Sequence, residues 1–301
     1  MIDLRHHIYS LVAVFLALAL GIMIGACFIA PGASDSRSVE RRRMEISRLE
    51  ESFDSLRAEI ADKQDSISAL QSELDNTEQV CKGLLPSVVR WRLSRRNAAI
   101  IQTGGSDEAV AAARTVIEQA GATVSASIRL RDELATNNAK ASQAVAKLGF
   151  GPPEADSNAP VKAILTAVAD AVTYGGGAET LSTLEDYDLV SCSGADGRGC
   201  RLVVIVGGAQ SSKTDHTESL DAALIDLLKR RRVEVVGCEA LNAPVSSIGV
   251  YAGKGISTVD NIDKAAGQIG LVYALSGERG HFGWKQTADR SLPKTLERTS
   301  Y

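Results

Sequence analysis

The amino-acid sequence predicts an α/β protein with an N-terminal single transmembrane helix, a coiled-coil stalk and then a three-layer domain with a mostly parallel sheet. Three observations predict this fold class: an uncharged apolar run near the N-terminus, a heptad pattern of apolar residues behind it, and alternating strand-like and helix-like segments in the remaining sequence. We place the membrane anchor at residues 1–34, the coiled-coil helix at residues 35–85 and the α/β globular domain at residues 97–301.

The apolar run extends from Ile8 to Ala30 and contains no charged residue. A helix of about 23 residues, at a rise of about 1.5 Å per residue, crosses the roughly 30 Å hydrocarbon core of a bilayer. The apolar core of a secretion signal is shorter, about 7–15 residues. The run therefore favours a span that stays in the mature protein. Two alternatives remain open, simple cleavage of a signal and lipidation of Cys27, because the sequence from Ile24 to Cys27 resembles a bacterial lipobox.

The charges beside the span leave its orientation open. Arg5 precedes the span, and an arginine run at residues 37–43 follows it. The positive-inside rule would place the C-terminal bulk in the cytoplasm. However, Asp35, Glu40 and Glu45 lie among these arginines, and long downstream domains are translocated largely regardless of charge.

Composition restricts the partners of the chain. Its 301 residues are 45% hydrophobic and carry a formal net charge of -4, so no basic balance points to a nucleic-acid partner. Aromatic residues make up 4% of the chain, which argues against a transmembrane β-barrel because such barrels carry aromatic girdles. The composition indicates a globular protein behind an anchor in a lipid bilayer.

A heptad repeat predicts one long helix behind the span. Its a positions are Val39, Ile46, Phe53, Ile60, Ile67 and Leu74, and Leu49, Leu56 and Leu70 occupy d positions. β-branched residues at a with leucine at d favour a parallel two-stranded coil, so we expect a homodimer. Polar residues at d and a repelling pair, Glu45 with Glu50, leave open a single amphipathic helix that folds back on its own domain. Pro86 predicts the end of the helix, because proline cannot continue the hydrogen-bond ladder.

The sequence after residue 97 alternates between strand and helix patterns. The first unit has a strand at 98–102, a turn and helix cap at 103–106, a helix at 107–120 and a strand at 122–128. The second has a strand at 201–206, a turn at 207–208, a helix at 216–230 and a strand at 233–236. A helix between the two units is expected at 159–174, ending at three glycines. Such βαβ units predict a parallel sheet covered by helices on both faces.

Each unit has a Gly-Gly turn between its strand and its helix, at Gly104-Gly105 and at Gly207-Gly208. Backbone amides at such a turn can bind a phosphate or carboxylate at the N-terminus of the helix. Neither turn matches a dinucleotide or P-loop motif, and a tight turn needs glycine for steric reasons alone. The structural and the ligand-binding interpretations both remain open.

The sequence predicts no enzyme and no cofactor. His6 and His7 precede the span, while His216 and His281 are distant from each other and belong to no nucleophile elbow or zinc-protease motif. We therefore expect His216 and His281 to be ordinary surface or capping residues.

Two cysteines, Cys192 and Cys200, flank a glycine-rich loop between two predicted strands. Three arrangements remain open for this pair. The cysteines form a disulfide, which requires a domain outside the cytoplasm, or they stay reduced, or their thiolates bind a metal ion. The sequence has no C-x-x-C motif and only three methionines, so soft ligands for copper are sparse. These two cysteines are accordingly weak candidates for metal ligands.

Both ends of the chain resemble one known family. The run from Gly255 to Asp263, the segment from Ala266 to Leu275, the segment from Gly280 to Lys285, and the N-terminus from Met1 to Gly25 are similar to the MctB family of actinobacterial copper transport proteins. The resemblance implies that the protein lowers intracellular copper, and that copper is a transported ion. The family is described as an outer-membrane channel, which implies an extracytoplasmic domain behind the single span.

The residues of this C-terminal motif can also be interpreted without the family resemblance. The motif comprises Ser257, Thr258, Val259, Asp260, Asn261, Asp263 and Gly267. Short polar side chains followed by carboxylates are typical of the start of a helix. The alternative is that Asp260 and Asp263 bind a hard cation. Carboxylates are hard oxygen ligands, which match hard cations well and Cu(I) poorly.

Three functions follow from the sequence. The first is an envelope-anchored protein of copper homeostasis, as the resemblance implies. The second is a dimeric structural or adaptor protein of the cell envelope, which the heptads favour. The third is an α/β module that binds a small anionic ligand at the Gly-Gly turns.

Overall fold

The computed structural model describes residues 4–29, 35–149, 158–194 and 197–297. The chain forms two units, residues 1–74 and residues 75–301. The second unit contains the sheet and all the elements that position the candidate site.

The first helix, α1 (Leu4–Ile29), contains residues 8–29 of the predicted span. Its window from His7 to Ala26 has 20 residues and a mean hydropathy of 2.5. Among the described residues it is the one helix long and apolar enough to cross a membrane. Ala30, the predicted last residue of the span, lies outside the described residues.

The second helix, α2 (Asp35–Val89), has 55 residues and is longer than the heptad pattern predicts. The prediction that Pro86 ends this helix is wrong, because Pro86 lies inside it. Proline costs one hydrogen bond to the preceding turn, but Leu85 and Val89 on either side are buried in the core. Their burial holds the last turn in helical conformation, and the Pro86 carbonyl accepts the Arg90 amide at 3.1 Å.

The heptad residues of α2 are exposed in the single chain. Their relative exposures lie between 53% and 68% for Ile46, Leu49, Phe53, Leu56, Ile60, Ile67, Leu70 and Leu74. The helix is therefore confirmed, while its pairing with a second copy stays a prediction.

The second unit is built on a seven-stranded sheet with the order β3-β2-β1-β4-β5-β6-β7. The strands are β1 (Asn97–Gln102), β2 (Thr123–Leu130), β3 (Val190–Ser193), β4 (Leu202–Val206), β5 (Glu234–Cys238), β6 (Ser257–Val259) and β7 (His281–Phe282). Among the described strands, β3 runs antiparallel to its neighbour β2, and the other pairs are parallel. The prediction of a mostly parallel sheet is confirmed.

Helices cover both faces of this sheet. They are α3 (Asp107–Gln119), α4 (Asp132–Thr136), α5 (Asn138–Lys147), α6 (Ala159–Tyr174), α7 (Ala178–Asp186), α8 (Ala222–Arg230), α9 (Ile248–Gly253), α10 (Ala265–Leu275) and α11 (Lys294–Glu297). One buried cluster joins the sheet to α5, α6, α7 and α8. The other joins it to α3, α10 and the end of α2. Both predicted βαβ units are present, as β1-α3-β2 and β4-α8-β5.

The strand order places a topological switch point between β1 and β4. From β1 the chain continues to β2 on one side, and from β4 it continues to β5 on the other. In open α/β sheets, ligands bind in the crevice outside the carboxyl ends of the strands at such a point. The two Gly-Gly turns follow β1 and β4, so this edge of the sheet is the candidate functional site.

Candidate functional site

The two Gly-Gly turns pack directly against each other. The Gly105 amide donates to the Gly208 carbonyl at 2.5 Å, and a Cβ atom on Gly104 would lie 2.5 Å from the same carbonyl oxygen. The Gly208 amide donates to the Ser247 hydroxyl at 2.9 Å. Because these amides bond within the protein, the geometry favours the structural interpretation of the turns over the ligand-binding one.

A buried carboxyl group lies behind these turns. Asp221 is 2% exposed, and its Oδ2 accepts hydrogen bonds from Thr103 Oγ1 at 2.9 Å and from the Tyr251 hydroxyl. Its Oδ1 has no hydrogen-bond partner among the described residues. Burial raises the pKa of Asp221 to about 7, against the lowering effect of the two hydroxyl donors. This group therefore takes up or releases a proton near neutral pH.

Asp221 ends a π-helical turn, Thr217–Asp221, that leads into α8. The adjoining Gly207 provides room for the Tyr251 ring, because a Cβ atom there would collide with the Tyr251 hydroxyl. The same surroundings raise the pKa of Tyr251 well above its usual value, first through burial and then through the charge of Asp221. The absence of a side chain at Gly207 thus leaves the space in which the Tyr251 hydroxyl reaches Asp221.

A second buried carboxylate, Glu239, follows β5 directly. It is fully buried and accepts hydrogen bonds from Ser246 Oγ at 2.6 Å and from the Ser247 amide at 2.8 Å. Lys285 completes its shell with an ion pair of 2.5 Å between Nζ and Oε1. Glu239 therefore joins the segment before α9 to the loop that follows β7.

The carboxylates of the C-terminal motif hold loops. Asp260 is 1% exposed and accepts the amides of Trp284 and Lys285, both at 2.9 Å. Asp263 accepts the Leu241 amide at 2.7 Å. Gly283 has to lack a side chain, because a Cβ atom there would collide with the Asp260 carboxylate. With both oxygens of Asp260 bonded to amides, the carboxylate acts as a structural clamp.

The predicted helix start at this motif is wrong. Ser257, Thr258 and Val259 form strand β6, which pairs with β5 in parallel. The following helix, α10, begins later, and its N-cap residue Lys264 makes no side-chain capping bond. The pairing of this short segment with a buried neighbouring strand outweighs the capping preference of its hydroxyl side chains. Thr258 instead lies 3.0 Å from His281 Nδ1.

Asn261 and Gly267 complete the motif in the core. Asn261 is fully buried, and neither polar atom of its side chain has a hydrogen-bond partner among the described residues. Gly267 lies in α10 where a Cβ atom would collide with the Asn261 carbonyl. The motif therefore combines loop clamps with a close approach of α10 to the end of β6. Across the described residues, no group of three or more histidine, cysteine or acidic side chains is arranged to hold a metal ion.

A polar cleft of about 330 Å³ opens at the ends of β1 and β2. Arg129 lines this cleft; its side chain donates to Gln102 Oε1 at 2.9 Å and pairs with Asp107. Asp132 and Glu133 form part of its wall. Arg129 belongs to no sequence motif. The available signal was its position as the single charged residue of strand β2, which leads towards this edge of the sheet.

Cys192 and Cys200 are not joined by a disulfide in the structure, so the disulfide alternative is not the arrangement found. Cys200 is buried, with Sγ 2.7 Å from Ser125 Oγ. Cys192 lies on β3, and its amide donates to Glu185 at 2.6 Å. Burial, followed by the charge of Glu185, raises the pKa of the Cys192 thiol. Cys192 also borders a second cleft, of about 320 Å³, together with Ser127, Ser191 and Ser193.

The two histidines of the domain differ from each other. His281 is half-buried and bonds to Thr258. His216 occupies the N-cap position of the π-helical turn, without a side-chain capping bond. Its side chain is 13% exposed, and Nε2 lies 3.6 Å from Asp132. His216 thus stands at an N-cap position without capping the turn through its side chain, and this side chain is more buried than that of an ordinary surface residue.

Comparisons with known proteins agree over nearly the whole chain. The family model described as "Copper transport outer membrane protein, MctB" matches residues 1–293. The chain is 28% identical to a protein of Mycobacterium tuberculosis named Copper transporter MctB, over 94% of this chain and 96% of that protein. It is 25% identical to the Copper transporter MctB of Mycobacterium leprae, over 94% of this chain and 95% of that protein.

Proposed function

We propose that this chain, which belongs to the MctB family, is a membrane-anchored protein of the cell envelope that lowers intracellular copper. The observation that carries the proposal is the family match over residues 1–293, which includes the apolar N-terminal helix and the C-terminal motif. Relatives that align over 94% of the chain are named copper transporters.

The anchor in this proposal is α1, which stays in the mature protein as a single span. Its 20-residue apolar window supports this assignment by length and composition. The α/β domain lies on the extracytoplasmic side. Helix α2 pairs in parallel with the same helix of a second copy, because its heptad side chains are exposed along one face.

Copper in this proposal contacts Cys192 rather than the motif carboxylates. Thiolates match Cu(I), whereas carboxylates match hard cations. Each oxygen of Asp260 already accepts a hydrogen bond from a backbone amide. Cys192 is half-buried beside a cleft, so an ion reaches its sulfur without unfolding the domain. In this proposal the C-terminal motif has a structural role. The protein is not an enzyme.

A deletion strain tests the role in copper homeostasis. Deletion should raise the copper content of cells and lower their tolerance of added copper, and the full-length gene should restore both. Zinc content and zinc tolerance provide the control, since a general envelope defect would change them as well. Unchanged copper content and tolerance in the deletion strain would remove the proposal.

Mass spectrometry of membrane-extracted protein should find the N-terminal peptide intact, whereas a lipidated Cys27 at the N-terminus would replace the span with a lipid anchor.

The exposed heptad face favours a second candidate, a dimeric structural or adaptor protein of the envelope. In that case, deletion would change envelope permeability to many solutes, with no selectivity for copper. A variant with polar residues at Ile60 and Ile67 would lose the function completely. If the protein acts in copper homeostasis, the same variant should still bind copper through the α/β domain.

A further inference from the structure

A pocket of about 340 Å³ lies on the surface beyond α10 and β7. Its lining residues are Glu278, Arg279, Arg290, Lys294 and Thr295. Three of these side chains are cationic and one is a carboxylate. The volume is within the range of sites that bind small molecules, about 300–1,000 Å³.

The single carboxylate of this pocket is already bonded. Glu278 Oε1 accepts the Lys294 amide at 2.6 Å, and Glu278 Oε2 accepts the Thr295 hydroxyl at 2.7 Å. Both oxygens therefore hold the start of α11 against the end of α10. Among the described residues, Glu278 forms no ion pair with any of the three cations of the pocket.

The guanidinium of Arg290 is held in place by the fold. Its main chain is fixed beside β7, because the Arg290 carbonyl accepts the Gly283 amide at 2.9 Å. The side chain lies over the ring of Phe282, with 5.9 Å between the guanidinium carbon and the ring centroid. Phe282 itself is 1% exposed. An arginine fixed in this way loses little conformational entropy when it binds an anion.

Within the part of the chain that the structure describes, each cation of the pocket has a weak carboxylate partner or none. Arg290 and Lys294 form no ion pair within the described residues. The nearest carboxylate to Arg279 is Glu234, at 3.8 Å, and the Arg279 side chain is 71% exposed. An exposed pair at that distance contributes little. Three positive charges therefore face the pocket against one negative charge that is already bonded.

We propose that this pocket binds a phosphate group through Arg279, Arg290 and Lys294. A phosphate monoester carries about −1.5 to −2 charges at neutral pH and has three acceptor oxygens, which match the excess of two positive charges. The planar guanidinium donates two parallel hydrogen bonds to phosphate oxygens, and the lysine ammonium adds a point charge. The volume exceeds that of the bare ion, so the phosphate belongs to a larger molecule, either a lipid headgroup or a soluble phosphate ester.

The test is calorimetric titration of the full chain in a neutral detergent with glycerol 3-phosphate and with short-chain phosphatidic acid. The wild-type chain should bind both probes with saturation. Arg290→Gln and Lys294→Gln should each weaken binding at least about fivefold. Arg230→Gln is the matched control, because Arg230 is exposed at the end of α8 and does not line the pocket, and it should leave binding unchanged. The Lys294→Gln variant should keep its fold, because the Lys294 side chain is exposed and the hydrogen bond to Glu278 comes from the main-chain amide of Lys294. A loss of binding in this variant therefore reports on the pocket.

The two probes separate the sources of the phosphate. Binding of phosphatidic acid at least tenfold tighter than that of glycerol 3-phosphate supports a lipid headgroup, and equal binding supports a soluble ester. The absence of saturable binding for both probes would overturn the proposal. Equal binding by wild type, Arg290→Gln and Lys294→Gln would also overturn it. Copper content in cells is a separate measurement, so failure of this site leaves the copper role intact.

Discussion

The ammonium group of Lys285 lies 2.5 Å from the carboxylate of Glu239, which is fully buried. The same lysine donates its amide to Asp260 at 2.9 Å. Two carboxylates from the ends of adjacent strands, β5 and β6, therefore fix one residue of the C-terminal loop. This clamp connects the strongest sequence motif of the chain to the carboxyl edge of the sheet.

Replacing Lys285 tests the clamp. Lys285→Met should lower the free energy of unfolding of the domain by about 3–5 kcal/mol, because it leaves the buried Glu239 charge without its partner. Urea unfolding followed by circular dichroism measures the change, and Lys213→Met at an exposed position is the control. Trypsin should also cut faster after Arg290 in the Lys285 variant. Equal stability of the two variants would show that the ion pair contributes nothing.

Asp221 predicts a pH-dependent stability. The folded state raises its pKa from 3.8 to about 7, so between these values the unfolded chain has released a proton that the folded chain keeps. Folding stability should therefore fall as pH rises from about 4 to about 7, by up to about 1.4 kcal/mol per pH unit, and then level off. Asp221→Asn should abolish this part of the slope and melt at a higher temperature than wild type at pH 8. Parallel melting curves of the two proteins from pH 5 to pH 8 would contradict the prediction.

Gly207 predicts a steric effect at the same site. Gly207→Ala should lower the free energy of unfolding by about 1–3 kcal/mol, because the added methyl group collides with the Tyr251 hydroxyl. Gly249→Ala is a matched control, since a Cβ atom at Gly249 has no neighbour within 4 Å and alanine favours helix α9. Thermal unfolding measures both. A Gly207 variant as stable as the control would show that the turn adapts without cost.

Periodicity predicted the regular elements of this fold well. The apolar pattern of residues 98–102 and 202–206 identifies two central strands, because strands covered on both faces are apolar throughout. Helix α3 and its N-cap were likewise predicted, and Ser106 Oγ accepts the Ala109 amide at 3.3 Å. Such elements depend on residues close in sequence.

The polar contacts of the candidate site were not predicted, because they join residues far apart in the sequence. Thr103 and Asp221 are 118 positions apart, and Glu239 and Lys285 are 46 positions apart. Pairing register decides which side chains meet, and a single sequence carries no signal for it. The strand at residues 257–259 was missed for the same reason, since only its place beside β5 distinguishes it from a helix start.

The heptad face of α2 predicts a parallel dimer. Ile60→Cys, at an a position, should form an intermolecular disulfide in the oxidised full chain, because a residues of two parallel helices face each other. Ala58→Cys lies at an f position on the opposite face and should not cross-link above the level of the parent chain. Non-reducing electrophoresis measures the product. Equal cross-linking of the two variants, or a monomer in ultracentrifugation at micromolar concentration, would remove the coiled coil.

The last prediction concerns the contact with copper. Cys192 borders a cleft, while Cys200 is fully buried beside Ser125, so an ion from solvent reaches the sulfur of Cys192 first. Cys192→Ser should weaken binding of Cu(I) to the full chain at least about tenfold, or roughly 1.4 kcal/mol, whereas Cys200→Ser should leave it within about threefold. The raised pKa of the Cys192 thiol means that binding has to displace a proton, so affinity should increase with pH between 6 and 8. Competition with a chromogenic Cu(I) chelator measures both effects. Tight binding that survives in the Cys192 variant, or that is independent of pH, would place the copper contact elsewhere in the chain.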